Sequence, residues 1–213
     1  MAQTIPVLRL SQFCQGSPAE QAQFVEALGQ ALETLGFFAL EDHGVDRSLI
    51  AAAYAAAEAV FTLPETVKTR YEVSDLHGQR GFTHFGREHA KDSPYPDLKE
   101  FWHIGRETAE PANLWPTEVP AFATTMTALF HQLETCAQTL LAACARYLNL
   151  PADRLCQITD GSPTLLRVIH YPPIPTTAHA NSLRSAPHED INLITLLCEA
   201  TTSGLELLQA DGT

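Results

Sequence analysis

Residues 187–197 of this 213-residue chain read PHEDINLITLL, in which a histidine and two acidic residues precede an apolar run. The run 191–198 is apolar and rich in β-forming residues, which predicts a strand. If residues 188–190 are extended at its entry, the period of two places His188 and Asp190 on one face. An imidazole and a carboxylate side by side are two of the three ligands of a facial iron triad. On spacing alone, a solvated strand end with a hydrogen-bonded histidine explains the triplet more simply.

The chain outside this stretch is helical first and β-prone later. Ser17-Pro18-Ala19-Glu20 combines an N-cap, a proline at the first helical position and a capping-box acid, and it predicts a helix that ends near Gly36. Further helices are predicted at 46–61, from Leu63 onward and at 122–148. Strands are predicted at 5–8, 37–40, 165–171, 191–198 and 204–208. Residues 74–120 show no sustained period, and the order of elements predicts an α+β fold.

Composition and charge exclude several classes of function. The formal net charge is −12, so a nucleic-acid backbone or an anionic membrane surface is a poor partner. The five cysteines form no CxxC pair, and the N-terminus has no signal-peptide pattern, which together predict reduced thiols and a cytoplasmic protein. Cys136 and Cys144 lie on one apolar helical stripe and are expected in the core. A small-molecule enzyme or a protein-binding module remains, and no feature of the sequence indicates the oligomeric state.

Several segments become informative when they are taken in order along the chain. They are GFFALEDHGV at 36–45, FTLPETVK at 61–68, DLKEF at 97–101, NLWP at 113–116, LRVIHYPP at 166–173 and HEDINLITLL at 188–197. In this order they resemble the isopenicillin N synthase-like branch of the 2-oxoglutarate/Fe(II)-dependent dioxygenases. The resemblance extends over nearly the whole chain, from Ile5 to Gly212.

This resemblance implies a helical N-terminal region, 1–120, followed by the first part of a double-stranded β-helix, or jelly roll, at 121–213. It implies that His188 and Asp190 are Fe(II) ligands and that Tyr171 helps to hold 2-oxoglutarate. Many plant-type members have an asparagine where this chain has Ile169, so that contact is absent or replaced here. The implied reaction is oxidation of a small organic molecule with O2, by hydroxylation, desaturation or cyclisation.

Two elements of the family pattern have no counterpart in the chain. The distal iron-ligand histidine and the Arg-x-Ser that holds the far carboxylate of 2-oxoglutarate follow the HxD by several dozen residues. We therefore expect a C-terminally truncated family member that is inactive by itself. The alternative is a non-catalytic remnant whose helical region acts as an interaction or dimerisation module.

Substrate contacts are expected in the aperiodic stretch 77–106. Arg80 and Arg87 could pair with a substrate carboxylate through bidentate hydrogen bonds, or could be solvated loop residues. Four aromatic residues of this stretch either line a pocket or pack in the core: Phe82, Phe85, Phe101 and Trp102.

Overall fold

The computed structural model describes residues 4–76, 78–89, 95–176, 178–198 and 200–208. These residues form two compact units. The first comprises the described residues within 4–46, 132–162 and 194–208, and the second comprises those within 47–131 and 163–193. Both contain helices and strands, so the predicted mixture of α and β structure is confirmed.

The first unit opens with a small parallel sheet, in which β1 (Val7–Arg9) pairs with β2 (Ala39–Glu41). Helix α1 (Leu10–Gln15), which the sequence did not predict, and helix α2 (Pro18–Thr34) lie between the two strands. The predicted capping box is present, because the Ser17 side chain accepts from the backbone N–H of Glu20 and the Glu20 side chain accepts from that of Ser17. Helix α1 is too short for periodicity to reveal it.

Two later helices contribute to this unit. Helix α5 (Pro120–Tyr147) supplies its C-terminal part, and the short α6 (Arg154–Thr159), also not predicted, follows it. Helix α2 meets α5 closely at Gly29, where an added Cβ would lie 2.1 Å from the Tyr147 ring. Cys136 is buried, as predicted, and burial raises the pKa of its thiol to about 11, whereas Cys144 is only partly buried.

The second unit is built on a three-stranded antiparallel sheet. Its strands are β3 (Gly81–Thr83), β4 (Glu100–Gly105) and β5 (Leu165–His170), with β4 in the centre. Helix α3 (Arg47–Phe61), helix α4 (Glu65–Lys68) and the N-terminal part of α5 belong to the same unit. Two 3₁₀ turns, Thr69–Tyr71 and Ser74–Leu76, lead from α4 to β3.

Strands β3 and β4 correct the prediction that 74–120 lacks regular structure. All six residues of β4 are buried, so the strand shows no alternation of apolar and polar residues that a period of two could detect. The side chain of Asn113 fixes the C-terminal end of β4, because its amide accepts a hydrogen bond from Gly105 N at 2.7 Å and donates one to Gly105 O at 2.8 Å. Three of the candidate pocket aromatics are core residues instead: Phe82, Phe101 and Trp102.

Residues 191–198 and 204–208, predicted as strands, are not strands where the structure describes them. Ile191 is 97% exposed. A strand requires a partner for its backbone N–H and C=O groups, and no described strand pairs with either segment. The N-terminal strands β1 and β2 each begin two residues later and end one residue later than their composition predicts. Among the helices of the described residues, none has both the length and the apolarity to cross a membrane.

Candidate metal and co-substrate site

His188 and Asp190 lie side by side, with His188 Nε2 3.7 Å from Asp190 Oδ1. Both side chains are about half exposed, although neither residue is in a strand. His188 Nδ1 lies 2.8 Å from the carbonyl oxygen of Ala186, and because a carbonyl only accepts, Nδ1 is the nitrogen that carries the proton. In the neutral ring, Nε2 therefore presents its lone pair on the side of the Asp190 carboxylate.

The segment before His188 is tied to the end of β5. Arg184 NH1 donates to the carbonyl oxygens of Tyr171 and Pro172, at 3.0 Å each. Tyr171 is the first residue after β5, and it is 40% exposed. Arg184 thus holds the backbone at Tyr171 against the irregular segment that carries the His-Asp pair.

Arg87, the candidate substrate contact, lies in an ion-pair cluster. Its NH1 pairs with Glu72, whose carboxylate also contacts His84 Nδ1 at 2.7 Å. Glu72 is largely buried, whereas the Arg87 side chain is 42% exposed. The carboxylate therefore anchors one side of a guanidinium that still reaches solvent.

Arg80 is neither a surface residue nor an available substrate contact. It is 3% exposed, and it donates from Nε to Pro111 O at 3.0 Å and from NH1 to Gln79 O at 2.7 Å. Its guanidinium lies over Gly105, where an added Cβ would come within 2.1 Å of NH2. Arg80 is a structural residue that links β4 to the chain near Pro111.

A network of charged side chains lies beside the candidate site, with Asp97 and Lys99 buried, Glu88 partly buried and Arg167 exposed. No pattern in the sequence indicated it. Lys99 Nζ is 2.9 Å from Asp97 Oδ2 and 2.8 Å from Glu88 Oε2, and Glu88 Oε1 is 2.7 Å from Arg167 NH2. Burial lowers the pKa of Lys99, but its bonds to Glu88 and Asp97 outweigh this effect and raise it overall. A charged run such as DLKE normally indicates a solvated surface. The one sequence signal for a special role was that DLKE is among the segments that resemble the family.

The network ends on a buried histidine. Arg167 Nε donates to His103 Nε2 at 2.6 Å, and His103 Nδ1 donates to Gly78 O at 2.6 Å. Burial, together with the positive charge of Arg167, lowers the pKa of His103 to about 4. His103 is therefore a neutral structural residue.

The part of the chain that the structure describes contains no group of three or more His, Cys, Asp or Glu side chains placed to share one metal ion. The donor set at His188 and Asp190 fits a divalent metal nonetheless, because an imidazole nitrogen and a carboxylate oxygen lie 3.7 Å apart and both are ligand types of such metals. The described residues thus offer two ligands.

The family model for the non-haem dioxygenase in morphine synthesis N-terminal region matches residues 5–118, which is more than half of the chain. This chain belongs to the non-haem, 2-oxoglutarate/Fe(II)-dependent dioxygenase family. The predicted family membership is confirmed, and so are the metal and co-substrate that the resemblance implied for the family.

Relatives of this dioxygenase chain occur among fungal and bacterial proteins. It is 30% identical over 220 residues to the 2-oxoglutarate-dependent dioxygenase frbA of Dothideomycetidae sp., covering 96% of this chain and 65% of the relative. It is also 30% identical over 226 residues to ecdK of Aspergillus rugulosus, covering 96% of this chain and 68% of that protein. The chain therefore spans about two thirds of the length of these relatives.

The similarity to known dioxygenases is also seen in the fold, by comparison with a solved structure. The crystal structure of a 2OG-Fe(II) oxygenase family protein from Caulobacter crescentus matches with a TM-score of 0.84 and 35% identity. The match covers 100% of the dioxygenase chain and 69% of the Caulobacter chain.

Proposed function

We propose that this protein is an Fe(II)- and 2-oxoglutarate-dependent oxygenase that oxidises a small organic molecule with O2, by hydroxylation, desaturation or cyclisation. The observation that carries the proposal is the His188–Asp190 pair, whose donor atoms are 3.7 Å apart. Family membership supports the reaction type. The hydrogen bond from His188 Nδ1 to Ala186 O supports metal binding through Nε2, since ligating histidines typically donate their other N–H to a backbone or carboxylate oxygen.

Each residue has one role in this proposal. His188 Nε2 and Asp190 Oδ1 hold the metal, and the Tyr171 hydroxyl helps to hold 2-oxoglutarate. Arg184 positions Tyr171 by binding its carbonyl oxygen. Bound Fe(II), 2-oxoglutarate and O2 supply the oxidising power, while the protein orients the substrate and keeps water away from it. We further propose that strand β5 belongs to the double-stranded β-helix of the family.

Arg87 is the proposed contact for an anionic group of the substrate. A guanidinium carries five N–H donors, so the pair that NH1 makes with Glu72 does not by itself exhaust its capacity. Glu72 restricts the rotation of the side chain, which favours a defined position over a freely solvated one. In the active protein, an Arg87→Gln substitution is expected to raise KM for an anionic substrate more than it lowers kcat.

The division into an N-terminal region, 1–120, and a catalytic region, 121–213, is also part of the proposal. The family-model match at 5–118 supports the position of the boundary. The competing hypothesis is a non-catalytic interaction or dimerisation module, in which the His188–Asp190 pair has no metal-binding role.

Metal binding by the 213-residue chain distinguishes the two hypotheses. Fe(II) binding is measured by anaerobic equilibrium dialysis with and without 2-oxoglutarate, in the wild-type chain and in His188→Gln and Asp190→Asn variants. We expect weak binding, strengthened by 2-oxoglutarate, that both substitutions abolish. The matched control is His131→Gln, because His131 is also an exposed histidine beside a carboxylate, 3.0 Å from Glu107.

Binding that is equal in the wild-type and His188→Gln chains would refute the metal assignment and favour the non-catalytic module. The chain by itself is expected to form no succinate from 2-oxoglutarate, because the described residues supply two ligands and hold the metal weakly. Succinate formation that depends on His188 would overturn this expectation and would point to a third ligand donated within an oligomer.

A further inference from the structure

The acidic side chain at position 97 is buried and has a defined set of partners. Asp97 is 2% exposed and Lys99 is 3% exposed, and Asp97 Oδ2 is 2.9 Å from Lys99 Nζ. Lys99 Nζ also lies 2.8 Å from Glu88 Oε2. A buried carboxylate is tolerated only when it is paired and hydrogen-bonded, so the contact with Lys99 compensates the burial of Asp97 and holds its side chain in place.

The remaining oxygen of Asp97 points to the segment before the His-Asp pair. Asp97 Oδ1 accepts a hydrogen bond from the backbone N–H of Ala186 at 3.1 Å. Two neighbouring contacts join the same segments, namely Leu98 N to Leu183 O at 2.8 Å and Lys99 Nζ to Ser185 Oγ at 3.4 Å. Because this segment is neither helix nor strand, these bonds replace the ladder that would otherwise fix its backbone.

Ala186 connects this anchor to the imidazole. Its N–H is held by Asp97, and its carbonyl oxygen accepts from His188 Nδ1 at 2.8 Å. The hydrogen bond to that carbonyl favours the proton on Nδ1 and fixes the direction of the ring. A displacement of Ala186 would leave Nδ1 without its acceptor and would remove the preference for the tautomer with a free Nε2.

We propose that Asp97 is a positioning residue for His188, which it orients through the backbone of Ala186, with Lys99 as the counter-charge. The effect on metal binding rests on the proposed function, whereas the effect on the imidazole does not. Asp97 contacts neither metal nor substrate in this proposal, and it acts only by fixing the Nδ1–H tautomer and the direction of Nε2.

The test reads the tautomer directly in the metal-free 213-residue chain. Long-range ¹H–¹⁵N NMR of ring-labelled histidine distinguishes Nδ1–H from Nε2–H, and the His188 signals are assigned by their loss in His188→Gln. We expect the Nδ1–H form to dominate in the wild-type chain and a mixture of both forms in Asp97→Ala. Asp97→Asn is the conservative rescue, since its amide oxygen can still accept from Ala186 N, and it is expected to restore the wild-type tautomer.

Glu100→Gln is the matched control for loss of a buried charge. Glu100 is 3% exposed, and its carboxylate pairs with Lys68 at 2.6 Å and with His170 at 2.7 Å. We expect the control to leave the tautomer unchanged. A folded Asp97→Ala chain with an unchanged tautomer, or a control that shifts the tautomer equally, would overturn the proposal.

A second measurement needs no substitution and therefore does not depend on whether Asp97→Ala folds. The amide proton of Ala186 should exchange with solvent far more slowly than those of neighbouring irregular residues, because a buried carboxylate accepts it. Exchange at the rate of an open loop would overturn the proposal. Where Co(II) serves as the probe, Asp97→Ala is expected to weaken binding about 10-fold or more, as is typical for outer-shell partners of a ligating histidine. Absence of Co(II) binding by the wild-type chain would refute the proposed function and leave the tautomer result standing.

Discussion

The buried imidazole of His103 makes a prediction about how stability depends on pH. The ring is 8% exposed, donates from Nδ1 to Gly78 O and accepts at Nε2 from Arg167. Protonation would place a second cation against the Arg167 guanidinium inside the protein. For this reason the pKa of His103 is lowered from 6.5 to about 4 in the folded chain.

The sign and the size of the effect follow from proton linkage. Between the two pKa values the unfolded chain binds a proton that the folded chain does not, so the free energy of unfolding falls as the pH falls through this range. The contribution of His103 is about 2.5 kcal/mol between about pH 7.5 and about pH 4.5. Carboxylates whose pKa is lowered in the folded chain, such as Glu88, also lose their stabilising contribution on acidification, but only near and below the acidic end of this pH range.

Replacement of His103 by glutamine should remove most of this dependence. A glutamine amide can donate to Gly78 O and accept from Arg167 without titrating. The free energy of unfolding is measured by urea denaturation, followed by circular dichroism, at a series of pH values. On acidification, we expect His103→Gln to lose about 2 kcal/mol less of its free energy of unfolding than the wild type does. The control His179→Gln, which replaces an exposed histidine, is expected to lose as much as the wild type. Parallel pH profiles for the wild type and His103→Gln would refute the reasoning.

Three further predictions concern stability and are measured by urea denaturation at neutral pH. Lys68→Met removes the ammonium partner of the buried Glu100 carboxylate, which keeps its contact with His170 Nδ1 at 2.7 Å, and should cost about 3 kcal/mol. The double variant Lys68→Met/Glu100→Gln should cost less, and an equal or greater cost would contradict this. Gly81 has φ +74° and a backbone carbonyl oxygen 2.4 Å from the position of an added Cβ, so Gly81→Ala should cost about 3 kcal/mol or more. Gly36→Ala, at φ +69° in open space, should cost only about 1–2 kcal/mol, and equal losses at both glycines would disprove the steric argument. Ser17→Ala removes the side-chain cap of α2 and should cost about 1 kcal/mol; an unchanged midpoint would show that the cap adds no stability.

Local signals in the sequence were sufficient for the long helices. The capping box at Ser17 and the apolar periodicity of α5 depend on residues within one or two turns of each other, so they can be identified without knowing the fold. The His188–Asp190 pair is local in the same sense, since two residues that are two positions apart can meet whether or not they lie in a strand. The order of the family segments could likewise be recognised from the sequence.

Strands were predicted less well, because pairing is not local. Strand β4 is buried on both sides and carries Glu100 and His103, so neither alternation nor apolar content revealed it. Conversely, 191–198 is apolar and β-prone but pairs with no described strand. A pattern in one segment cannot report whether a second segment lies within hydrogen-bonding distance of it.

By itself, the sequence determined the helical framework, the family and the residue types that can bind a metal. Only the tertiary structure decided that Arg80, Asp97 and Lys99 are buried and that Arg87 remains at the surface. The physical reason is that the same charged residue type can be buried or exposed, and which of the two occurs depends on the partners that the fold brings to it. Glu88 and the backbone N–H of Ala186, which are distant from Lys99 and Asp97 in sequence, supply those partners and make burial of the charges possible.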